Sequence, residues 1–270
     1  MAILGYNDDG YQGGAGGAWP PGEKLSPRLQ LAIFLRSLAL QAAWNPQRMQ
    51  NLGLLVALLP WVRRRGLPLT ERRRFCRRYY GFFNTNPYLA NFILGGILRL
   101  EAESGEQGPP EDLLRGFQDS LARSFASLGD QLFWLGLQPT LLLLAGLLGL
   151  LVGPWPVLGV FILFALVEFV LRYRSLAIGH RLGLDIVELL SRPGWHRLIR
   201  WTQQSSLVLA GFWCGCWLAG LGRGAAGRGD LALTVALLGG VALPLGLRKR
   251  SSGEGLLLLV LLLALAISCI

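Results

Sequence analysis

Three short segments hold the side chains of this chain that could do chemistry. Gln41-Ala42-Ala43-Trp44-Asn45-Pro46-Gln47-Arg48-Met49-Gln50 combines amides, an indole and a guanidinium. Phe82-Phe83-Asn84-Thr85-Asn86-Pro87 repeats the mixture of amide and aromatic groups, and Gly129-Asp130-Gln131-Leu132-Phe133-Trp134 sets a carboxylate between a glycine and a tryptophan. Amides and a carboxylate supply the donors and acceptors that hydroxyl groups need, and an indole face packs against the C–H face of a ring. The combination suits a small polyhydroxylated ligand. Trp44, Asn45, Arg48, Gln50, Asn84, Asp130 and Trp134 are therefore the candidates for lining a substrate path or a subunit interface. No catalytic constellation accompanies them, so no catalytic residue is assigned.

Each candidate also has a structural reading. Asn45 precedes Pro46 as in an ordinary turn, so Trp44, Asn45 and Gln50 either face a ligand or close the end of a helix. Asn86 before Pro87 reads as a cap, and Asn84 as either a helix-break residue or a ligand or subunit contact. Arg48 anchors a polar network or snorkels to an interface. Asp130 precedes a long apolar run, where a lone carboxylate is costly; it pairs with Arg48 or Arg123, or meets substrate. Glu168 lies inside another apolar run, and Arg172 four residues on, with Arg174 nearby, makes a local ion pair the expected arrangement. His180 reads as a packing residue rather than a proton relay. Cys76, Cys214, Cys216 and Cys269 lack the further ligands a metal site needs, so neither metal nor cofactor is expected.

These groups are set in an apolar chain. Of 270 residues, 52% are hydrophobic and only 16% charged, 36 are glycine, and the mean hydropathy is +0.43. Soluble domains carry more charge, and glycine is better tolerated in membrane helices. Near-pure apolar runs occupy residues 137–152, 157–171, 207–221, 231–247 and 256–270. A run of about 15 residues spans roughly 22 Å as a helix, short of the roughly 30 Å hydrocarbon core. Such runs must be extended by their flanks, be re-entrant, or sit in a thinned bilayer. Gly153-Pro154-Trp155-Pro156 makes a tight connection between the first two.

The net charge of +10 is uneven. Arg63, Arg64, Arg65, Arg72, Arg73, Arg74, Arg77 and Arg78 form one block, Arg192, Arg197 and Arg200 a second, and Arg248-Lys249-Arg250 a third. The positive-inside rule places all three in the cytoplasm, with the N-terminus inside; Arg223 and Arg228 run against it. No nucleic-acid fold accompanies the arginines, so lipid headgroups rather than nucleic acid are the expected partner. The expected fold is an all-α integral membrane protein, with amphipathic or interfacial helices followed by short transmembrane or re-entrant hairpins. Its regions are a disordered tail over 1–24, an amphipathic helical region over 25–135, a hydrophobic hairpin with a cytoplasmic segment over 136–200, and transmembrane segments over 201–270. Helices are expected over 27–44 and 47–61, from a Thr70 cap through the arginines, from Asn86-Pro87 to Glu103, and from Pro110 onward with Leu113, Leu114, Phe117, Leu121 and Phe125 on one face.

At these residues the chain resembles the IID subunit of the mannose/fructose/sorbose-family phosphotransferase system (PTS). The family's Gln-x-x-Trp-Asn-x-x-Arg-Met-Gln stands at Gln41 to Gln50, its Phe-Phe-Asn-Thr-x-Pro at Phe82 to Pro87, followed by Ile93-Leu94-Gly95 and Leu100-Glu101. Its Gly-Asp-x-x-Phe-Trp stands at Gly129 to Trp134, and its Gly-x-x-x-Gly-x-Asp-Ile-Val at Gly179 to Val187. The resemblance covers residues 30–190 in order. It implies a non-catalytic subunit of a bacterial inner-membrane sugar permease. A IIC membrane partner would complete the hexose path, a cytoplasmic IIB supplied by IIA would phosphorylate the sugar, and the assembly would be a trimer of IIC–IID pairs. The chain has Gln138-Pro139 where the family usually has Arg-Pro, and Ala165 and Glu168 where Asn and Arg are common. Those replacements raise the alternative of a membrane scaffold or regulatory IID-like protein that has lost sugar transport.

Overall fold

Ser26-Pro27 opens the first helix in the way its chemistry favours. The Ser26 hydroxyl accepts from the Leu29 amide, and Pro27 occupies a first-turn position where its missing N–H costs nothing. The computed structural model describes residues 25–105 and 108–222, with side chains through residue 213. The runs at 231–247 and 256–270, the third basic group and the side chains of Cys214, Cys216 and Cys269 lie outside the described residues. Regular elements among those described are all helical: α1 Pro27–Ser37, α2 Asn51–Arg64, α3 Leu69–Tyr79, α4 Ala90–Glu103, α5 Glu111–Gly129, a π-helical segment Asp130–Leu137, α6 Gln138–Leu151, α7 Pro154–Leu182, a 3₁₀ turn Gly183–Asp185, α8 Ile186–Leu190 and α9 Pro193–Gly222.

The chain's contacts sort it into two compact units, with described residues 25–126 and 169–191 in one and 127–168 and 192–222 in the other. Two of their borders fall inside α5 and α7, and the third between α8 and α9. In the first unit α4 is the central helix, buried on nearly every side from Ala90 to Ala102. Gly95 lies against the backbone of Leu176 and His180 on α7, and Gly179 against the backbone of Phe92 on α4. The two glycines thus let α4 and α7 meet backbone to backbone, as small residues do in membrane helix pairs. His180, 4% exposed, is part of that packing. The Asn91 amide donates to the Arg172 carbonyl at 2.8 Å, the Gln30 amide to the Tyr173 carbonyl at 3.0 Å, and Phe34 meets the edges of Phe169 and Tyr173. On α5, Leu114, Phe117, Leu121 and Phe125 face inward, with Phe125 stacked on Phe92, while Leu113 is exposed.

Several helix boundaries differ from the sequence expectation. α4 starts at Ala90, after a turn over 87–89, rather than at Pro87, and α2 runs on to Arg64 rather than ending at Trp61. The first helix stops at Ser37 rather than continuing to Trp44, because residues 38–44 close in successive short turns. Leu40 is thereby buried against the backbone at Gly53. The second helix starts at Asn51 rather than Gln47, since Met49 at φ 55° and an antiparallel Asn45–Met49 bridge break the α pattern. Pro68, not Thr70, stands at the start of α3.

In the second unit α9 packs along the π-helical segment and α6. Thr140 Oγ1 lies 2.8 Å from both Gly136 O and Thr202 O, and the Trp213 indole donates to Leu143 O at 2.8 Å. Gly136 and Gly146 leave room for Thr202 and Trp213. The short apolar runs are lengthened by their flanks: continuous helical stretches of 41 residues at Glu111–Leu151 and 37 residues at Pro154–Leu190 are long and apolar enough to cross a membrane. None of the most apolar window of the second is buried within the protein, which suits lipid rather than a protein core. Gly153, at φ 114°, makes the turn between α6 and α7 that its Pro-rich sequence suggests.

Candidate functional site

A loop at residues 44–50, two β-bridges and the segment 82–86 form one polar knot in the first unit. Asn45 and Met49 exchange both backbone hydrogen bonds, at 3.1 and 2.8 Å, and the Asn45 carboxamide oxygen accepts the Arg48 amide at 2.8 Å. Such closure by an Asn side chain onto the amide three residues on is a common local side-chain-to-backbone bond in turns. The Asn45 amide group also donates to Asn51 Oδ1 at 3.2 Å, and Asn51 donates to the Tyr80 carbonyl at 3.0 Å. Met49 bridges to Phe83 in parallel. The Gln50 amide N–H reaches Phe83 O at 2.8 Å.

Gln50 fixes this register. Its side chain donates to Thr85 O at 2.9 Å and accepts from Thr85 N at 3.0 Å, so one carboxamide satisfies both backbone polar groups of a buried residue. Thr85 in turn donates its hydroxyl to Ala122 O on α5 at 3.1 Å. Asn86 accepts from the Tyr88 amide, and its carbonyl takes the Leu89 and Ala90 amides that start α4. Gln50→Leu keeps the shape but orphans the Thr85 N–H and C=O. The expected cost is about 2–4 kcal/mol, measured as a lower melting temperature in detergent; melting unchanged from the parent protein would refute this role.

The same knot holds other side chains outward. Trp44 is 54% and Phe82 60% exposed; Arg48 and Asn84 are also exposed. The Arg48 guanidinium lies 4.2 Å above the Tyr80 ring, a cation–π contact that orients it. An amide, a guanidinium and two aromatic faces thus stand on the two bridged segments, a set able to bind hydroxyls or another protein surface.

The remaining sequence candidates lie elsewhere. Asp130 and Trp134 are exposed on the π-helical segment of the second unit. This eight-residue π-helical segment is longer than the single-turn π-bulges that recur at functional sites, and no pattern of residue types announced it. Glu168 is half-buried at the end of that unit's part of α7. Arg172 is 9% exposed, with its guanidinium 4.8 Å over the Tyr88 ring. Sequence reasoning missed Asn51, Thr85 and Tyr80, whose roles come from hydrogen bonds to segments distant in sequence. It also missed a buried cluster in which Glu101 meets Arg78 at 3.1 Å and accepts from the Tyr79 hydroxyl at 2.7 Å. Among the described residues no three of His, Cys, Asp and Glu gather to hold a metal ion.

Residues 24–213 match the PTS system mannose/fructose/sorbose family IID component. The chain belongs to this family. The mannose-specific EIID component of Escherichia coli K12 is 38% identical over 171 residues, covering 62% of this chain and 59% of the relative. The fructose permease IID component of Bacillus subtilis is 26% identical, covering 69% and 67%. This IID chain therefore spans about three fifths of the length of the Escherichia coli relative. A solved complex of the mannose transporter ManYZ with microcin E492 matches with a TM-score of 0.54 and 25% identity over 90% of this chain and 97% of that one. A further membrane protein structure matches with a TM-score of 0.62 and 32% identity over 70% of each chain. The IID motifs divide physically: Asn45, Gln50 and Thr85 are spent inside the knot, whereas Trp44, Arg48, Phe82 and Asn84 face outward.

Proposed function

We propose that this IID chain is a non-catalytic subunit of a sugar phosphotransferase permease in a bacterial cytoplasmic membrane. It shapes a hexose translocation path together with a IIC subunit, in a trimer of such pairs, while IIB, charged by IIA, phosphorylates the sugar. The observation that carries this reading is the knot itself. Its buried amides are used internally, and they hold Trp44, Arg48 and Asn84 outward, where a partner or a sugar can meet them. Asp130 and Trp134, on the π-helical segment, are proposed separately as residues that meet sugar or a partner. Arg63–Arg65, α3 and the Arg192–Arg200 group lie on the cytoplasmic side by the positive-inside rule, which puts the N-terminus inside and makes the chain multi-pass. Glu168 and Arg172 are each proposed to serve as intramembrane polar groups of α7.

Coexpression with a IIC partner and measurement of phosphorylation-coupled hexose uptake test the reading; uptake that survives deletion of this chain would end it. Within that assay Arg48→Ala/Asn84→Ala is expected to lower uptake at least tenfold. Membrane yield and melting should stay within those of the parent chain, because both side chains are exposed. Equal uptake would remove these residues from the path. The replacements at Gln138, Ala165 and Glu168 support a second reading, a IID-like scaffold without transport. It predicts a stable complex with IIC and no uptake in the parent chain.

A further inference from the structure

The arginines of α3 do more than mark a cytoplasmic side. Phe75 and Tyr79, four residues apart and both 1% exposed, turn one face of α3 into the core. Positions 73 and 77 lie about 200° around the helix from them and must point away. There they meet α5 across an open cleft of about 690 Å³, whose walls carry Arg73, Arg74, Arg77, Arg78, Arg115 and Gln118. Two carboxylates, Glu111 and Asp119, also line it. Of the five guanidiniums, Arg78 is committed to Glu101. The other four form no ion pair or side-chain hydrogen bond among the described residues. Like charges at i and i+4, as in Arg73 and Arg77, repel unless an anion lies between them. Gln118 adds a second sign: its Nε2 has no protein acceptor, the residue lines the cleft, and a turn of its carboxamide can present that donor to an anion there. A donor at such a place is met by protein or by water, and an anion in the cleft would serve it equally.

We propose that this cleft binds a phosphate group, held by Arg73, Arg77 and Arg115 and by a directional hydrogen bond from Gln118. Guanidinium forks match phosphate oxygens bidentately, and a phosphate supplies an acceptor for Gln118. The cleft is larger than one phosphate and accepts an attached glycerol- or sugar-sized group. Two sources present this chemistry, the headgroup of an anionic lipid and a free phosphate ester. The inference stands apart from sugar movement and survives if the transport reading fails.

The test uses the full chain. Detergent-solubilised protein is titrated with inorganic phosphate and with glycerol 3-phosphate, and protein in phosphatidylcholine nanodiscs is compared with protein in nanodiscs containing phosphatidylglycerol. Saturable stabilisation by the soluble probes identifies a free ester; stabilisation by phosphatidylglycerol alone identifies a lipid headgroup. In either case Arg73→Ala/Arg77→Ala, at exposed positions, should weaken the response on the order of a hundredfold. Gln118→Leu, which removes no charge, should weaken it several-fold. The control Arg28→Ala/Arg123→Ala removes the same charge elsewhere and should leave it intact. No response to any probe, or equal losses in the control and in the cleft variants, overturns the proposal.

Discussion

Gly179→Leu is expected to abolish folded protein, and Gly95→Leu to do the same. At each position a side chain would meet the backbone of the partner helix, Phe92 for Gly179 and Leu176 with His180 for Gly95. Overpacking against side chains costs about 1–3 kcal/mol because rotamers can yield. Here the obstacle is main chain on α4 and α7, so relief requires the helices to separate. Separation would also break the Asn91 hydrogen bond to the carbonyl of Arg172. Loss on the order of a protein's whole stability follows. Gly159→Leu is the control, since nothing lies within 4 Å of a side chain added there on α7. The measurement is the yield and melting temperature of monodisperse protein in detergent. If Gly179→Leu melts like Gly159→Leu, the close crossing is not what holds the two helices.

Glu101→Ala should be nearly as damaging, at about 3–5 kcal/mol. Glu101 is 2% exposed, and its side chain serves both Arg78 and Tyr79. Removing it leaves the Arg78 guanidinium, 9% exposed, as a buried charge without its carboxylate, the case in which broken ion pairs are most costly. Burial pushes the Glu101 carboxyl above its ordinary value, opposed by the Tyr79 hydrogen bond and by the Arg78 and Arg65 charges. Burial also raises the Tyr79 hydroxyl, and the Glu101 charge adds to that. The pH consequence has a definite sign. A carboxyl that holds its proton more tightly when folded contributes most below its ordinary value of 4.5, and that contribution declines as pH rises through the raised value. Glu101→Gln, which keeps an acceptor for Tyr79, should therefore flatten the pH dependence of melting above 4.5. An unchanged pH profile would show that Glu101 titrates alike in the folded and unfolded chain.

The membrane class was legible in the sequence because it depends on composition alone: lipid selects apolar residues whatever their neighbours. The Gly153 turn, the Asn86-Pro87 turn that leads into α4 at Ala90, and the inward face of α5 at Leu114, Phe117, Leu121 and Phe125 were legible for a similar reason. Each is fixed by residues within a turn or two along the chain. The helix ends at Ser37 and Asn51 were not, because periodicity continues through both and only the bridge to Phe83 and the burial of Leu40 interrupt it. Local pattern cannot reveal a competitor lying thirty residues away.

The candidate site divides along the same line. Residue type alone marked Trp44, Asn45, Arg48, Gln50 and Asn84 as able to meet a polar ligand, since that capacity belongs to the functional group. Only the tertiary structure decided which of those groups are already engaged. Gln50 is consumed by Thr85 and Asn45 by its own turn, while Arg48 and Asn84 stand outside. A hydrogen-bonding group has a fixed number of donors and acceptors, and folding assigns them before any ligand arrives.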